Sequence, residues 1–251
     1  MELQPGKGRM VFIILQVMMY AAFLVLDLTG GNAAISSYIK FAIIILCFCY
    51  ALPAKRSAGK GILFLMKTAL FFTVVSDLLI LILDYYFYGV LTFLVVQQAY
   101  GMRISMEKHF LRQEDKRRSC LGNLFRGFLP RLLLQTAAAG TVCGILAYSG
   151  IELEPLLVAS IFYFINIVMN TFGAVRAAVL FPGRRSLVMF AAGLVMFLLC
   201  DVNVGLFNLS GFISMPPGID STIYGMSSIL MWTFYAPSQV LIALSVKAGN
   251  Q

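Results

Sequence analysis

Residues 70–83 read LFFTVVSDLLILIL and residues 190–207 read FAAGLVMFLLCDVNVGLF. Each stretch lies in an apolar run of the length that crosses a bilayer as a helix, about 20 residues. Each run carries one carboxylic acid in its interior, Asp77 in the first and Asp201 in the second. A carboxyl at that depth costs roughly 3 kcal/mol on insertion scales. It persists only where its helix turns it toward a polar interior. Two such groups at similar heights in two helices point to one shared polar site.

The remainder of the chain is of the same class. Of its 251 residues 60% are hydrophobic and 12% charged, and the mean hydropathy is +0.88. A soluble domain carries roughly twice that charge. The sequence therefore reads as a single all-α integral membrane domain over 1–251, a polytopic helical bundle with only loops outside the lipid. Hydrophobic runs predict eight spans, near 11–28, 35–52, 61–84, 86–105, 128–149, 155–176, 187–208 and 223–246.

Charge placement supports the same count. Lys7 and Arg9 precede the first run, and Lys55, Arg56 and Lys60 separate the second from the third. Arg103, Lys108, Arg112, Lys116, Arg117, Arg118 and Arg126 fall between the fourth and fifth. Arg176, Arg184 and Arg185 follow the sixth, and Lys247 follows the eighth. The alternate connections carry Asp27, Asp84, Glu152, Glu154 and Asp220, with Lys40 the one exception. This positive-inside pattern predicts both termini on the cytoplasmic side of a bacterial inner membrane. The net charge of +8 is then a topology signal. The basic stretch 103–131 reads as a cytoplasmic loop beside anionic headgroups and not as a nucleic-acid surface. Four of the five cysteines (Cys47, Cys49, Cys143 and Cys200) fall within spans and Cys120 in that loop, so no disulfide framework is implied.

The other helices bring polar residues to overlapping depth. The fourth carries Gln97, Gln98 and Tyr100, the sixth Asn166 and Asn170, and the eighth Tyr235, Ser238 and Gln239. Gln97 and Tyr100 are three apart, while Asn166/Asn170 and Tyr235/Gln239 are four apart, so each pair shares a helical face. Interhelical hydrogen bonding alone accounts for a single such amide; the two aspartates are the functional candidates. The halves also echo each other. Ser76-Asp77 with Phe93 and Gln97 parallels Cys200-Asp201 with Tyr235 and Gln239, as in a parallel repeat of two four-helix units with a site at their interface.

The lone histidine, His109, lies in the basic stretch, so no His-based metal site or Ser-His triad is available within the spans, and no phosphate-binding glycine loop appears. No cofactor or metal is implied. Pro237 inside the eighth span predicts a kink and a freed carbonyl near residue 233.

These residues resemble the YhhN family of integral membrane lysoplasmalogenases over about 62–246. That family has Gly-Asp followed by leucines, then a glycine, a phenylalanine and His-x-x-Tyr on the next helix. The counterparts here are Ser76-Asp77-Leu78-Leu79, Gly89, Phe93 and Gln97-Gln98-Ala99-Tyr100. A later family segment with Gly, Phe, Ser-Asp and Asn is matched by Gly193, Phe197, Cys200-Asp201 and Asn208. The family's Tyr-x-x-x-Gln-x-Leu-Ile is matched by Tyr235 through Ile242, and Tyr163 and Met169 fit its sixth helix. Three positions depart from the family: Ser76 replaces Gly, Gln97 replaces His and Cys200 replaces Ser. A glutamine can hydrogen-bond but cannot titrate near neutrality.

The resemblance implies hydrolysis of the vinyl ether of a lysoplasmalogen, giving a fatty aldehyde and a glycerophospho-base. Two carboxyls suit that chemistry, one delivering a proton and the other stabilising the resulting cation and activating water, as in glycoside hydrolysis. Asp77 and Asp201 are the expected acid/base pair, with Gln97, Tyr100, Asn170, Tyr235 and Gln239 lining the substrate site and a lysophospholipid or related membrane lipid as partner. A catalytically silent lipid-binding or transport protein of the same fold is the alternative, and a proton-coupled transporter using the aspartates as a relay is a third reading.

Overall fold

In the computed structural model of the protein, residues 5–54, 60–112, 120–208, 211 and 216–248 are described. They form eight α-helices and no strand: α1 (Pro5–Leu28), α2 (Ala33–Ala51), α3 (Lys60–Leu81), α4 (Tyr86–Arg112), α5 (Cys120–Tyr148), α6 (Pro155–Leu180), α7 (Arg185–Phe207) and α8 (Pro217–Lys247). Short turns punctuate them. Gly30, at φ +65°, takes the left-handed conformation that lets Gly31 N–H return to Leu26 O at the end of α1. The Asn32 side chain then caps α2 by accepting from Ile35 N–H at 3.1 Å.

Seven of these helices are long and apolar enough to cross a membrane. The eighth, α4, has the length but not the composition, because Gln97, Gln98, Tyr100 and Arg103 lie along it. It packs against α3, α5 and α6 and belongs to the same bundle.

The packing follows a simple scheme. Helices α2, α3, α4, α6, α7 and α8 form a ring in which each packs on the next and α8 returns to α2; α3 also touches α8. Helix α1 lies outside against α2 and α8, and α5 lies outside against α4 and α6. Exchanging α1–α4 for α5–α8 leaves this neighbour pattern unchanged apart from the α3–α8 touch. The halves are thus arranged as the parallel repeat that the sequence echo predicts. Gln16 of α1 donates to Ile43 O of α2 at 3.1 Å, and in the other half Gln135 of α5 meets Asn166 of α6.

Three local features test the sequence reading. Lys40, the base on the acidic side, pairs with Asp27 at 2.8 Å and sits 5.2 Å from the centre of the Trp232 ring. Pro237 cannot bond to Thr233 O, and the Tyr20 hydroxyl of α1 takes that carbonyl at 3.3 Å. The basic stretch 103–131 is a correction. It is helical except for 113–119, which lie outside the described residues, because α4 continues to Arg112 and α5 begins at Cys120. Arg103 is not a loop residue at all; it is 1% exposed inside the bundle. His109 lies on the last turns of α4.

Two outcomes follow from this arrangement. In a background without native cysteines, a membrane-impermeant maleimide on intact cells should label Ser149→Cys, in the exposed α5–α6 turn, and should reach Gly183→Cys, in the α6–α7 turn, only after lysis. The reverse pattern would invert the orientation. Tyr20→Phe should cost about 0.5–1.5 kcal/mol of unfolding free energy, the usual net worth of one hydrogen bond. It should cost less on a Pro237→Ala background, where residue 237 regains the N–H that serves Thr233 O.

Candidate active site

Asp77 lies four residues from the end of α3 and Asp201 six residues from the end of α7, roughly 6 and 9 Å along the axes. Both therefore lie nearer the end of the bundle opposite the termini. Side chains on a helix lean toward their own N-terminus. The two carboxyls consequently lean inward along the bundle, while residues on the antiparallel helices α6 and α8 lean the other way to meet them. Tyr235 of α8 donates to Asp77 Oδ2 at 2.7 Å, and Tyr163 of α6 donates to Asp201 Oδ2 at 2.8 Å. Tyr235, in the second half of α8, is thus level with Asp77, at the overlapping depth that the sequence predicts.

An aromatic cluster joins the two tyrosine–aspartate pairs. The Phe93 ring of α4 lies 6.0 Å from Tyr163, 6.3 Å from Tyr235 and 5.8 Å from Phe197, and Phe197 lies 5.2 Å from Tyr235. Cys200, next to Asp201 in the chain, is buried on α7. Asp77 is buried, whereas Asp201 is only half-buried.

Gly89 and Gly193 mark close approaches around this cluster. A Cβ on Gly89 would stand 2.3 Å from Ile80 Cγ1, and Ser76, beside Asp77, donates to Gly89 O. A Cβ on Gly193 would stand 3.0 Å from Ser238 O and 2.7 Å from Ile242 Cγ1. One glycine closes α3 on α4 and the other closes α7 on α8, so each half carries its acid on a tightly joined helix pair.

The sequence-predicted lining residues are all in the interior. Asn170 Nδ2 donates to Gln97 O at 2.8 Å and to Gln97 Oε1 at 2.7 Å. Gln97 sits beside the Tyr163 hydroxyl, yet its amide nitrogen has no hydrogen-bond partner among the described residues. Gln97 is thus one side chain removed from Asp201. Tyr100 lies one turn further along α4, its ring 5.4 Å from Phe190 and its hydroxyl unpaired. Gln239 contacts Ser238 at 3.5 Å and leaves its Oε1 unpaired. Tyr235 and Asp77 are directly bonded, Gln97 and Asn170 are directly bonded, and neither Tyr100 nor Gln239 bonds to either carboxyl.

Tyr163 was noted in the sequence only as a family match, yet it contacts one of the two acids. Arg103 was missed because it resembles a topology marker. It stacks on Phe190 at 3.8 Å and donates to Glu107 at 3.2 Å, Ser186 at 3.1 Å and Ser245 at 3.0 Å. It thereby ties α4 to the start of α7 and the end of α8. The signal was present: the spacing from Gln97 to Tyr100, continued by three and then four residues, reaches Arg103 and Glu107 on the same face.

The YhhN family matches residues 35–246, which span α2 through nearly the whole of α8. The chain belongs to the YhhN family. The match extends beyond the quoted motifs to include α2, so the family fold covers the complete six-helix ring. No curated protein and no solved structure matches the chain.

Removing Arg103 leaves Glu107 buried without its counter-charge. Arg103→Ala should lower unfolding free energy in detergent by about 3–5 kcal/mol, the range for breaking a buried ion pair. Arg103→Ala combined with Glu107→Gln should recover part of that loss, and an unchanged double mutant would assign Arg103 to packing alone.

Proposed function

We propose that this protein is a membrane lipid hydrolase of the lysoplasmalogenase kind, acting in a bacterial inner membrane with both termini cytoplasmic. It would cleave the vinyl ether of a lysoplasmalogen with Asp77 and Asp201 as its acid/base pair. The observation that carries this reading is the pair of interior carboxyls on equivalent helices of the two halves, each oriented by a tyrosine hydroxyl and joined through Phe93 and Phe197.

In this mechanism one aspartic acid gives its proton to the β-carbon of the vinyl ether, and the double-bond electrons form that C–H bond. The oxocarbenium cation left behind is stabilised by the other, ionised aspartate. That carboxylate takes a proton from water as the water oxygen bonds to the cationic carbon. As the hemiacetal breaks its bond to the glycerol oxygen, that oxygen takes the proton held by the second aspartic acid and the hemiacetal O–H gives its proton back to the first, so a fatty aldehyde leaves and both carboxyls return to their starting states. One water is consumed. Tyr235 and Tyr163 act as positioning residues, because a phenol donated to one carboxylate oxygen fixes its plane. The aromatic cluster supplies faces against which a developing cation is favourable.

The alternative, a catalytically silent lipid-binding or transport protein of the same fold, is favoured by one observation. Gln97 replaces the family histidine, and its carbonyl groups are both taken by Asn170, which is a structural use of the position.

Purified protein assayed for aldehyde release from lysoplasmalogen decides between them. Asp77→Asn and Asp201→Asn should each reduce the rate by about 10²–10⁴, the usual contribution of a general acid or base. The double mutant should be little slower than the slower single, since the groups act as a unit. Gln97→His should raise the rate. Activity unchanged in both Asn variants would remove the mechanism, and no activity before and after Gln97→His would establish the silent reading.

A further inference from the structure

One set of interior hydrogen bonds runs in a single direction across four helices and ends on one of the two acids. It begins at Arg131 of α5. The guanidinium lies against Gly101 of α4, where a Cβ would stand 1.8 Å from Nη1. Gln135, with its amide turned to suit its neighbours, accepts from Arg131 Nε at 2.9 Å. Arg131 Nη2 donates to Asn170 Oδ1 of α6. A guanidinium has only donors, so Asn170 has to present its oxygen to Arg131 and its nitrogen to the other side. Asn170 Nδ2 accordingly donates to Gln97 Oε1 of α4 at 2.7 Å and to Gln97 O at 2.8 Å. With that oxygen engaged, Gln97 turns its amide nitrogen outward. The nitrogen has no bonded partner among the described residues and lies beside the Tyr163 hydroxyl. Tyr163 gives its own proton to Asp201 Oδ2 at 2.8 Å, which leaves the phenol oxygen as the acceptor for Gln97.

The direction of this chain is set at its ends. Arg131 can only donate, and a carboxylate can only accept. Turned the other way, Asn170 would set its N–H groups against the guanidinium, and Gln97 would draw the Tyr163 proton away from Asp201. Hydrogen bonds in series polarise one another, and a donor series that starts on a cation stabilises negative charge at its far end more than a lone phenol does. Asp77 is served by such a lone phenol. Tyr235 donates to it, and no donor to the Tyr235 oxygen is found among the described residues. Ser76, next to Asp77 in the chain, turns to Gly89 O and not to the acid. Gln239, which the echo between the halves sets in the place of Gln97, contacts Ser238 at 3.5 Å and leaves its Oε1 unpaired among the described residues.

We propose that Arg131, acting through Asn170, Gln97 and Tyr163, holds Asp201 as the ionised member of the acid pair and so makes Asp77 the proton donor. The proposal deepens the reading of the protein as a vinyl-ether hydrolase and rests on it for the reaction. Asp77 is then the acid that protonates the β-carbon of the vinyl ether. Asp201 is the carboxylate that stabilises the oxocarbenium cation and takes a proton from the attacking water. The proton cycle of the hydrolysis runs with Asp77 as the first acid and Asp201 as the second. Arg131 and Asn170 are positioning residues, since they act on Asp201 only through other side chains.

Infrared difference spectra of the purified full chain at neutral pH test the assignment without any turnover. Wild type minus Asp77→Asn should isolate the C=O stretch of a protonated carboxyl. Wild type minus Asp201→Asn should isolate the paired stretches of a carboxylate. On an Arg131→Gln background the Asp201 difference should change to the protonated stretch, while the Asp77 difference stays as it is. Asn170→Leu is close in size and cannot pass a donor on; it should have the same effect, and it decides the matter if Arg131→Gln does not fold. A carboxylate at Asp77 with a protonated Asp201, one state shared by both acids, or an Asp201 carboxylate that survives in both variants would each overturn the proposal. The expected spectra from a protein that releases no aldehyde from lysoplasmalogen would count against the hydrolase reading alone. Aldehyde release with the two states reversed would overturn the assignment of roles and leave that reading standing.

Discussion

A carboxyl group surrounded by hydrocarbon has few stable solutions, and here both aspartates adopt the same one, a short hydrogen bond from a tyrosine on an antiparallel helix. That constraint orders much of the bundle. Asp77 has to face α8 and Asp201 has to face α6. The helices that carry the tyrosines have to run opposite to those that carry the acids, so that the side chains lean together. Close packing at Gly89 joins α3 to α4, and close packing at Gly193 joins α7 to α8, which fixes each acid-bearing helix against a neighbour.

The same rule governs the rest of the polar interior. Gln97 with Asn170, Gln98 with Asn166 at 2.8 Å, and Gln16 with Ile43 O each tie two helices through a buried group that lipid could not satisfy. Arg103 is the charged version, spread over Glu107, two serines and the Phe190 ring. Interactions of this kind give membrane helices specificity of register where a hydrophobic drive between them is lacking. They also leave polar atoms over: Gln97 Nε2, Tyr100 Oη and Gln239 Oε1 have no partner among the described residues.

The pseudo-repeat gives the site its asymmetry as well as its frame. Phe93 and Tyr235 hold corresponding places in the echo between the halves, yet one is a phenylalanine and the other donates to Asp77. Asp201 recruits its phenol from α6 instead. Equivalent backbones thus present two carboxyls in unlike surroundings, one buried and one half-buried.

The sequence by itself determined the all-helical membrane class, the eight helices to within a few residues on most boundaries, the two interior acids and the family. These follow from local quantities: runs of apolar residues set helix length against bilayer thickness, and a charge in such a run is conspicuous wherever its helix goes. It also foretold the freed carbonyl at Thr233, because the effect of Pro237 is confined to its own helix. The partners were another matter. That Tyr20 takes that carbonyl, that Tyr163 holds Asp201, and that Arg103 is interior rather than a loop cation depended on which helix faces are neighbours and at what height. Those are set by the close approaches at Gly89, Gly101 and Gly193 and by the differing lengths of the helices. A basic residue at the end of a predicted span looks the same in sequence whether it reaches water or folds back onto an aromatic ring. Only the reach of the Arg103 side chain to Ser186 of α7 and Ser245 of α8 distinguishes the two.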